Sequence, residues 1–406
     1  MPVLTNIALL ATCAAEGGQG AIHAVERAAL AWDGETIRWV GAEADLPAAY
    51  AAMERVDAGG ALVVPGLVDC HTHLAFGGWR ADEFAMRSRG ATYREIARQG
   101  GGIASTMRHT RAASEDALLE RSRGFLRAMA RLGVTTVEAK SGYGLSAEDE
   151  LKTLRVYRRL HEEGPMTIVP TFLGAHVVPP EFADDRAGYV RLLTDVLMPR
   201  IAEEGLARFC DVFVEETAFS VEEARQILAA GRRHGMRPKL HVDQLSDGGG
   251  AALAAEVGAA SADHLEHASD AGLAAMAEAG VVAVSLPLAS LYLRQPPLDA
   301  RRAMEAGVAV AVATDFNPGS APSYHLPLAL TLACTMQRMT PAEALKGGTL
   351  YAARALDLDA RVGSLEPGKQ ADFVLVDAPD VDHWLYHFRP NAAVATYVRG
   401  RRYPEA

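Results

Sequence analysis

Eight short apolar runs recur through the middle of this 406-residue chain, and amphipathic stretches rich in alanine and arginine lie between most of them. Residues 117–132 and 222–234 are two such stretches, and their apolar residues have the period of a helix. Eight strands that alternate with helices predict an α/β fold, a (β/α)8 or TIM barrel. The runs cover residues 66–68, 134–137, 167–172, 209–214, 238–242, 261–264, 281–285 and 308–313.

An open, doubly wound sheet is the alternative arrangement for the same pattern. It predicts a glycine-rich phosphate-binding turn directly after the first strand. Here the first run leads instead into Asp69-Cys70-His71-Thr72-His73. The three glycines at 100–102 lie much further along the chain, and we expect them to belong to a long loop after the first strand.

Both ends of the chain have the character of β-strands. Residues 29–32 and 36–40 flank Asp33-Gly34, which is a hairpin signal, and residues 372–377 and 393–398 are apolar runs near the other end. Because 406 residues exceed the usual size of a single core, two structural units are predicted. We expect residues 1–64 and 361–406 to form one small β-sandwich-like module, and residues 65–360 to form the catalytic barrel.

Net charge, cysteine spacing and the length of the apolar runs limit the kinds of protein that this chain can be. The formal net charge of −11 argues against sequence-independent binding to nucleic acid or to an anionic membrane. The four cysteines are widely separated and form no C-x-x-C pair, which favours a reduced, cytoplasmic chain without disulfides. No apolar run approaches the length of a membrane span.

His71 and His73 follow the first run. Side chains two residues apart in a strand point to the same side, and neutral imidazole is a favoured ligand of divalent transition metals. Catalytic residues of a barrel lie at the C-terminal ends of its strands, where the fifth and eighth runs supply His241 and Asp315. Three imidazoles and one carboxylate suit a single Zn²⁺ or Fe²⁺, which lowers the pKa of bound water towards ~7.

Other polar residues also follow the predicted strands. His264, at the end of the sixth run, can orient the water or share the proton transfer, and Asp315 can accept the proton. Lys140, after the second run, is predicted to be a structural ion-pair partner, so the site is predicted to hold one metal ion. Glu215 and Glu216, after the fourth run, are expected to face a cation or to begin a helix.

With these residues the chain resembles the amidohydrolase superfamily, whose members hydrolyse amides, amidines and rings on a metal-bearing barrel. The likeness runs from about residue 30 to residue 400 and rests on specific motifs. They are P-G-x-V-D-x-H-T-H at 65–73, the histidines of the fifth and sixth runs, the aspartate after the eighth, and the segment 363–373. Residues 71–80, 138–145, 174–176 and 314–320 are most similar to members that open 4-imidazolone-5-propanoate.

The resemblance implies hydrolysis of that cyclic amide to N-formimidoyl-L-glutamate, the third step of histidine degradation, and it suggests a homodimer. Arg80 suits the carboxylate of this small anionic substrate, because guanidinium binds carboxylates in a bidentate manner. Carried over by position, the residues that line the substrate pocket are Arg80, Tyr93, Tyr143, His176, Gln244, Asn317, Gly319 and Ser320.

Gln244 departs from part of the superfamily pattern. Some members have glutamate at this position, where it has been proposed as the base, but glutamine cannot accept a proton at neutral pH. We therefore expect Gln244 to orient reacting groups by hydrogen bonding. The role of the base falls to Asp315 or His264.

Two other functions stay open. Another cyclic amidohydrolase or deaminase, acting on a purine, a pyrimidine or a hydantoin, would leave Arg80 without a carboxylate to bind. A non-catalytic barrel that serves as a scaffold is the alternative from a different class, although relatives of that kind have lost metal ligands that this chain retains.

Overall fold

The computed structural model describes residues 1–50, 52–91, 95 and 100–403. Within these ranges the chain forms sixteen strands. In chain order they are β1 (Pro2–Ala11), β2 (Ala24–Asp33), β3 (Thr36–Ala42), β4 (Glu54–Asp57), β5 (Leu62–Pro65), β6 (Leu67–Asp69), β7 (Val134–Lys140), β8 (Thr167–Ala175), β9 (Phe209–Val214), β10 (Arg237–Val242), β11 (Ser261–His264), β12 (Val282–Ser285), β13 (Val310–Val312), β14 (Phe373–Val376), β15 (Ala393–Val398) and β16 (Arg401–Arg402).

Helices connect most of the strands, and none in the described part of the chain is both long and apolar enough to cross a membrane. The α-helices are Ala81–Ser88, Ile103–Ala112, Glu115–Arg131, Ala147–Glu163, Arg186–Arg191, Met198–Glu204, Val221–Arg233, Gly250–Glu256, Asp270–Ala279, Pro287–Leu293, Ala300–Glu305, Leu326–Gln337, Pro341–Lys346, Ala352–Arg354 and Val381–Tyr386. Short 3₁₀ turns cover Glu43–Asp45, Ala48–Tyr50 and Pro180–Phe182, and π-helical turns cover Leu192–Leu197 and Gly347–Tyr351.

The helix Val221–Arg233 shows how sequence positions a covering helix. It begins at Ser220, whose hydroxyl accepts from the Glu223 N–H while the Glu223 carboxylate accepts from the Ser220 N–H, a capping box. Its buried residues include Ala224, Ile227 and Leu228, which have helical spacing. This apolar face packs against β9 and β10 and shields them from water.

Strands β6 to β13 form one parallel sheet in which each strand pairs with the next in the chain, which confirms the predicted barrel. The sheet nearly closes where its first and last strands end. Beyond those ends, the Asp315 N–H donates to the His71 carbonyl at 3.0 Å, and the His73 N–H donates to the Phe316 carbonyl at 2.8 Å. The Asp69 carboxylate accepts from the Thr314 N–H at 3.0 Å and from its hydroxyl at 2.6 Å. Barrel closure and the predicted metal ligands therefore share the same few residues.

The two ends of the chain meet in a second sheet of eight strands. Its order is β16-β15-β14-β5-β1-β2-β3, and β4 pairs in parallel with residues 2–5 of β1. The predicted hairpin is confirmed, with Asp33 paired to Thr36. A small core lies on this sheet, where the Phe373 ring stacks on Tyr397 with centroids 4.3 Å apart and meets Trp32 edge-on at 5.3 Å.

Gly66 separates β5, in the terminal sheet, from β6, in the barrel. Its N–H donates to the Asp372 carbonyl at 2.9 Å, so the C-terminal segment is attached at the point where the chain passes between the sheets. This pairing supports the division into 1–64 with 361–406 and 65–360, and the division itself stays a prediction. Cys13, Cys70, Cys210 and Cys334 are all free.

Candidate active site

The four predicted metal ligands come together in the interior, at the C-terminal end of the barrel. The Nε2 atoms of His71 and His73 lie 3.4 and 3.5 Å from Asp315 Oδ1. The His241 ring lies on β10, and its centroid is 4.5 Å from that of His71. All four side chains are buried, with at most 3% of the surface of each residue exposed. The residues that were predicted from the strand ends therefore lie side by side in the structure.

Their free atoms fit a metal ion. Nε2 of His71 and Nε2 of His241 are buried and make no hydrogen bond within the described ranges. A buried polar atom without a partner is costly, and a divalent cation would use these lone pairs. The ligand atoms of His71, His73 and Asp315 all lie within 4.8 Å of one another, as do those of His71, His241 and His264. The three imidazoles and one carboxylate of the predicted ligand set suit one transition-metal ion, and His264 lies beside them.

Two carboxylates that sequence reasoning missed lie behind these histidines. His71 Nδ1 is 2.6 Å from Asp263 Oδ2, and His241 Nδ1 is 3.1 Å from Asp211 Oδ1. An ionised carboxylate only accepts, so each Nδ1–H donates and each Nε2 is the atom left to bind a metal. A usable signal was present, because an aspartate stands within each of the buried strands β9 and β11.

Charge at the site is set by burial and by these close pairs. Burial lowers the pKa of His73 and of His241, so both imidazoles are held neutral, which is the form that binds metal. Burial and Lys140 also act to lower the pKa of His71, but the Asp263 and Asp315 carboxylates outweigh them and raise it to about 9 in the metal-free chain. A metal ion at His71 Nε2 would therefore displace a proton.

Asp315 is held ionised. Burial alone would raise the pKa of its carboxyl group, but the His71 and His73 imidazoles beside it hold that pKa well below its usual range. This carboxylate is suited to bind a cation.

His264, at the end of β11, has a centroid-to-centroid distance of 5.6 Å to the His241 ring. Its Nδ1 is buried and has no hydrogen-bond partner in the described part of the chain, since Glu266 Oε1 lies 3.6 Å away. His264 and Asp315 have φ angles of 82° and 54°, in the left-handed region that non-glycine residues rarely adopt. Such backbone strain clusters at functional sites.

Tyr143 and His176 form a wall beside the metal ligands. The His176 ring stacks on His73 with centroids 5.3 Å apart, and its Nδ1 lies 3.0 Å from the Gly142 carbonyl. Burial lowers the pKa of His176 to about 3, so this imidazole is neutral. The buried Tyr143 ring is 5.5 Å from His73, and burial raises the pKa of its hydroxyl.

Arg80 lies against the loop that follows β13. Its Nε is 3.2 Å from Glu83 Oε2, and its guanidinium packs on the α-carbon of Gly319, where a Cβ would come within 2.1 Å of an Arg80 nitrogen. The Arg80 charge also acts to lower the pKa of Tyr143, against the larger effect of burial. Arg80, Tyr143 and the metal ligands are thus neighbours in one pocket region.

The Asn317 side chain shapes the same loop. Its Oδ1 accepts from the N–H groups of Gly319 and Ser320 at 2.7 and 2.8 Å, and its Nδ2 donates to the Asp315 carbonyl and to the Ser320 hydroxyl. In this structure the Gly319 N–H is therefore engaged within the loop. The predicted substrate contacts of Asn317, Gly319 and Ser320 stay predictions.

Gln244 is half-buried in the loop after β10. Glu215 supports that loop, because its carboxylate accepts from the Leu245 N–H at 2.7 Å and from the Ser246 hydroxyl at 3.2 Å. We expected Glu215 to face a cation or begin a helix, and it binds this loop instead. Tyr93 lies outside the described residues.

The chain is similar in sequence to a known family and to individual proteins within it. The sequence profile of the amidohydrolase family matches residues 62–402. An imidazolonepropionase from Cupriavidus necator is 51% identical over 386 residues, which cover 94% of this chain and 91% of the relative. An imidazolonepropionase from Geobacillus thermodenitrificans is 53% identical over 336 residues, which cover 83% and 79%.

Solved structures share the fold at low sequence identity. A 5-methylcytosine deaminase from Klebsiella pneumoniae has a TM-score of 0.75 at 17% identity, covering 100% of this chain and 97% of that one. Escherichia coli guanine deaminase has a TM-score of 0.74 at 18% identity, with both chains covered completely. A zinc-bound adenosine deaminase from Xanthomonas campestris has a TM-score of 0.73 at 19% identity, covering 99% and 92%.

Proposed function

Because this chain belongs to the amidohydrolase family, and shares about half of its residues with imidazolonepropionases, we propose that it hydrolyses 4-imidazolone-5-propanoate to N-formimidoyl-L-glutamate, in histidine degradation. The observation that carries the proposal is the buried set of three imidazoles and one carboxylate near the cationic Arg80. Nε2 of His71 and of His241 has no hydrogen-bond partner in the ranges that the structure describes. Such a site combines hydrolytic chemistry with recognition of an anion.

His71, His73, His241 and Asp315 would hold the metal ion. When bound, a Zn²⁺ or Fe²⁺ ion supplies Lewis-acid chemistry, because it polarises a carbonyl group and makes water a stronger acid. The choice between the two metals, a homodimeric state and a cytoplasmic location complete the proposal. Metal analysis and size-exclusion chromatography test the first two.

Arg80 would bind the propionate group. A guanidinium offers several N–H donors, and Glu83 faces its Nε, so its terminal nitrogens are directed towards Gly319 and the pocket. Tyr143 lies within the electrostatic influence of both Arg80 and Asp315. The tyrosine would therefore contact substrate between its anionic tail and its ring.

Proton movement falls to side chains around the ring carbonyl. The unpartnered Nδ1 of His264 is placed to exchange a proton, and Asp315 is the second acceptor. Gln244 has no acidic proton and would orient the ring by hydrogen bonds. His176, held neutral by burial, would line the wall and contact the ring.

The test is turnover of freshly prepared 4-imidazolone-5-propanoate, followed by absorbance. We expect turnover that a chelator abolishes and that Zn²⁺ or Fe²⁺ restores. Absence of turnover in a metal-loaded preparation, together with turnover of a neutral cyclic base, would indicate the rival deaminase class. A preparation that holds no stoichiometric metal and turns over neither substrate would indicate a scaffold.

Arg80→Ala separates the anionic substrate from a neutral one. We expect the kcat/KM of the variant for imidazolone propanoate to fall by about 100-fold, in line with roughly 3 kcal/mol for a charged hydrogen-bonded pair. Arg80 directly precedes the helix Ala81–Ser88, and the exposed Arg89 directly follows it. Arg89→Ala is therefore the matched control and should leave kcat/KM unchanged. Equal kcat/KM in Arg80→Ala and wild type would contradict the assignment.

A further inference from the structure

A buried group of charged side chains lies beneath the predicted metal ligands, and the proposed reaction does not use it directly. It contains two ammonium groups, Lys140 and Lys239, and three carboxylates, Glu138, Asp211 and Asp263, all with no exposed surface. Burial of charge is expensive unless each charge is paired and hydrogen-bonded. The pattern of contacts therefore indicates what each member does.

Lys140 contacts all three carboxylates. Its Nζ donates to Asp211 Oδ2 at 2.7 Å and to Glu138 Oε1 at 3.0 Å, and lies 3.2 Å from Asp263 Oδ2. An ammonium group has three N–H donors, so one is available for each carboxylate. The sequence-based prediction that Lys140 is an ion-pair partner is confirmed.

Two of those carboxylates are the ones behind the metal ligands. Asp211 uses one oxygen for Lys140 and the other for Nδ1 of His241, while Asp263 Oδ2 is shared between Lys140 and Nδ1 of His71. A single ammonium group therefore contacts both Asp211 and Asp263, the carboxylates that bind the imidazoles of His241 and His71. Movement of that ammonium would disturb both ligands together.

Lys239 provides a comparison within the same group. It is equally buried, but its ion pair is with Glu138 Oε2 at 2.9 Å, and it donates to the Cys70 carbonyl at 3.3 Å. Glu138 also accepts from the Thr171 hydroxyl at 2.6 Å. Lys239 therefore binds Glu138 and the Cys70 carbonyl rather than the two aspartates, although its charge, like that of Lys140, helps to lower the pKa of Asp263 against the effect of burial.

We propose that Lys140 is a positioning residue for the metal site. It holds Asp211 and Asp263 so that each keeps its imidazole in the Nδ1–H form, with the ring turned to present Nε2. The inference rests on the metal site of the proposed function. Because the loss of groups that orient metal ligands typically weakens metal affinity, we expect Lys140→Met to bind Zn²⁺ about 10–100-fold more weakly than wild type.

The experiment measures the Zn²⁺ dissociation constant of the metal-free full-length chain by competition with a chromophoric chelator. Wild type, Lys140→Met and Lys239→Met are compared. Lys239→Met removes a buried ammonium group of the same kind, and we expect its affinity to stay within about threefold of wild type. Equal losses in both variants would show that only the total charge matters and would overturn the proposal.

A charge-balanced double variant keeps the proposal testable if Lys140→Met alone does not fold. Glu138→Gln with Lys140→Met removes one charge of each sign, and Glu138→Gln alone is its control. We expect the double variant to lose Zn²⁺ affinity while the single variant keeps it. A double variant with wild-type thermal unfolding and wild-type affinity would overturn the role of Lys140. A wild-type chain that binds neither Zn²⁺ nor Fe²⁺ would overturn the metal site as well.

Discussion

His264 has a buried imidazole nitrogen that finds no hydrogen-bond partner among the residues described, and it lies on the strand next to the one that carries His241. Asp211 and Asp263 accept from Nδ1 of His241 and of His71, two of the predicted metal ligands. A histidine that is close to the metal ligands, yet has a free nitrogen, is suited to proton transfer. This is a prediction about one side chain, and single substitutions test it.

We expect His264→Ala to lower kcat by about 10²–10⁴-fold, the usual contribution of a positioned acid or base, while bound metal stays at the wild-type level. His267→Ala, an exposed position three residues further on, is the control. The measurements are kcat and metal content on the same samples. Near wild-type turnover in a metal-loaded His264→Ala variant would assign the proton to Asp315.

Gly319 packs closely against the guanidinium of Arg80. An alanine Cβ there would lie 2.1 Å from a nitrogen of Arg80, and the guanidinium is the mobile end of a long side chain, so it can move away. We expect Gly319→Ala to fold normally and to raise KM about tenfold, with a smaller change in kcat. Gly124→Ala, on the helix Glu115–Arg131 with open space around it, is the control for a glycine change. Unchanged KM in Gly319→Ala would place the substrate carboxylate elsewhere.

At the scale of elements, the first and last barrel strands are joined through side chains as well as backbone. Asp69, at the end of β6, accepts two hydrogen bonds from Thr314, just after β13. Burial raises the pKa of the Asp69 carboxyl group to about 7, despite these hydrogen bonds. Both residues are buried, so water cannot take the place of the Thr314 donors. The contact between the two strands therefore depends on these two hydrogen bonds.

Thr314→Val keeps the shape of the side chain and removes the hydroxyl donor. We expect it to lower the free energy of unfolding by about 1–3 kcal/mol, because a buried acceptor loses its partner. Thr314→Ser keeps the hydroxyl and should stay closer to wild type. Thermal unfolding midpoints of the three proteins decide this, and a Thr314→Val midpoint at or above the wild-type value would contradict it.

At the scale of the whole molecule, stability depends on pH through buried carboxyl groups far from the metal ligands. Asp372, at the junction between terminal sheet and barrel, accepts from the Arg399 N–H at 2.6 Å and from Gln370 Nε2 at 2.8 Å. Burial outweighs these hydrogen bonds and raises its pKa from 3.8 to about 6. The folded chain therefore binds this proton more tightly than the unfolded chain does.

The stabilisation from a raised carboxyl pKa is complete below the unfolded value, near 4, and is lost as pH rises through about 6. Asp372→Asn cannot ionise, so we expect it to gain stability relative to wild type between pH 4 and 7, by on the order of 3 kcal/mol. Unfolding midpoints at several pH values measure this. Parallel curves for the two proteins would contradict it.

Local pattern was enough to predict the barrel and to pick out the buried histidines and the aspartate that meet at its C-terminal end. A parallel strand that is buried on both faces is largely apolar, so the eight runs marked β6 to β13 within a few residues. The two-residue spacing of His71 and His73 predicted that they share one side, and both Nε2 atoms do lie beside Asp315, although β6 itself ends at Asp69. These features depend on residues close together in the chain, and they can be recognised without knowing what packs against them.

Tertiary structure decided which groups meet across the barrel. His71 and its partner Asp263 are 192 residues apart in the chain, and the pairing of Lys140 with Asp211 spans 71. Arg80 and Gly319, which pack against each other, are also far apart in the chain. Such contacts depend on strand stagger and on how the barrel closes, which no local period specifies. The sequence by itself determined the strands and the donor atoms, and the closed fold determined the buried charges that orient them.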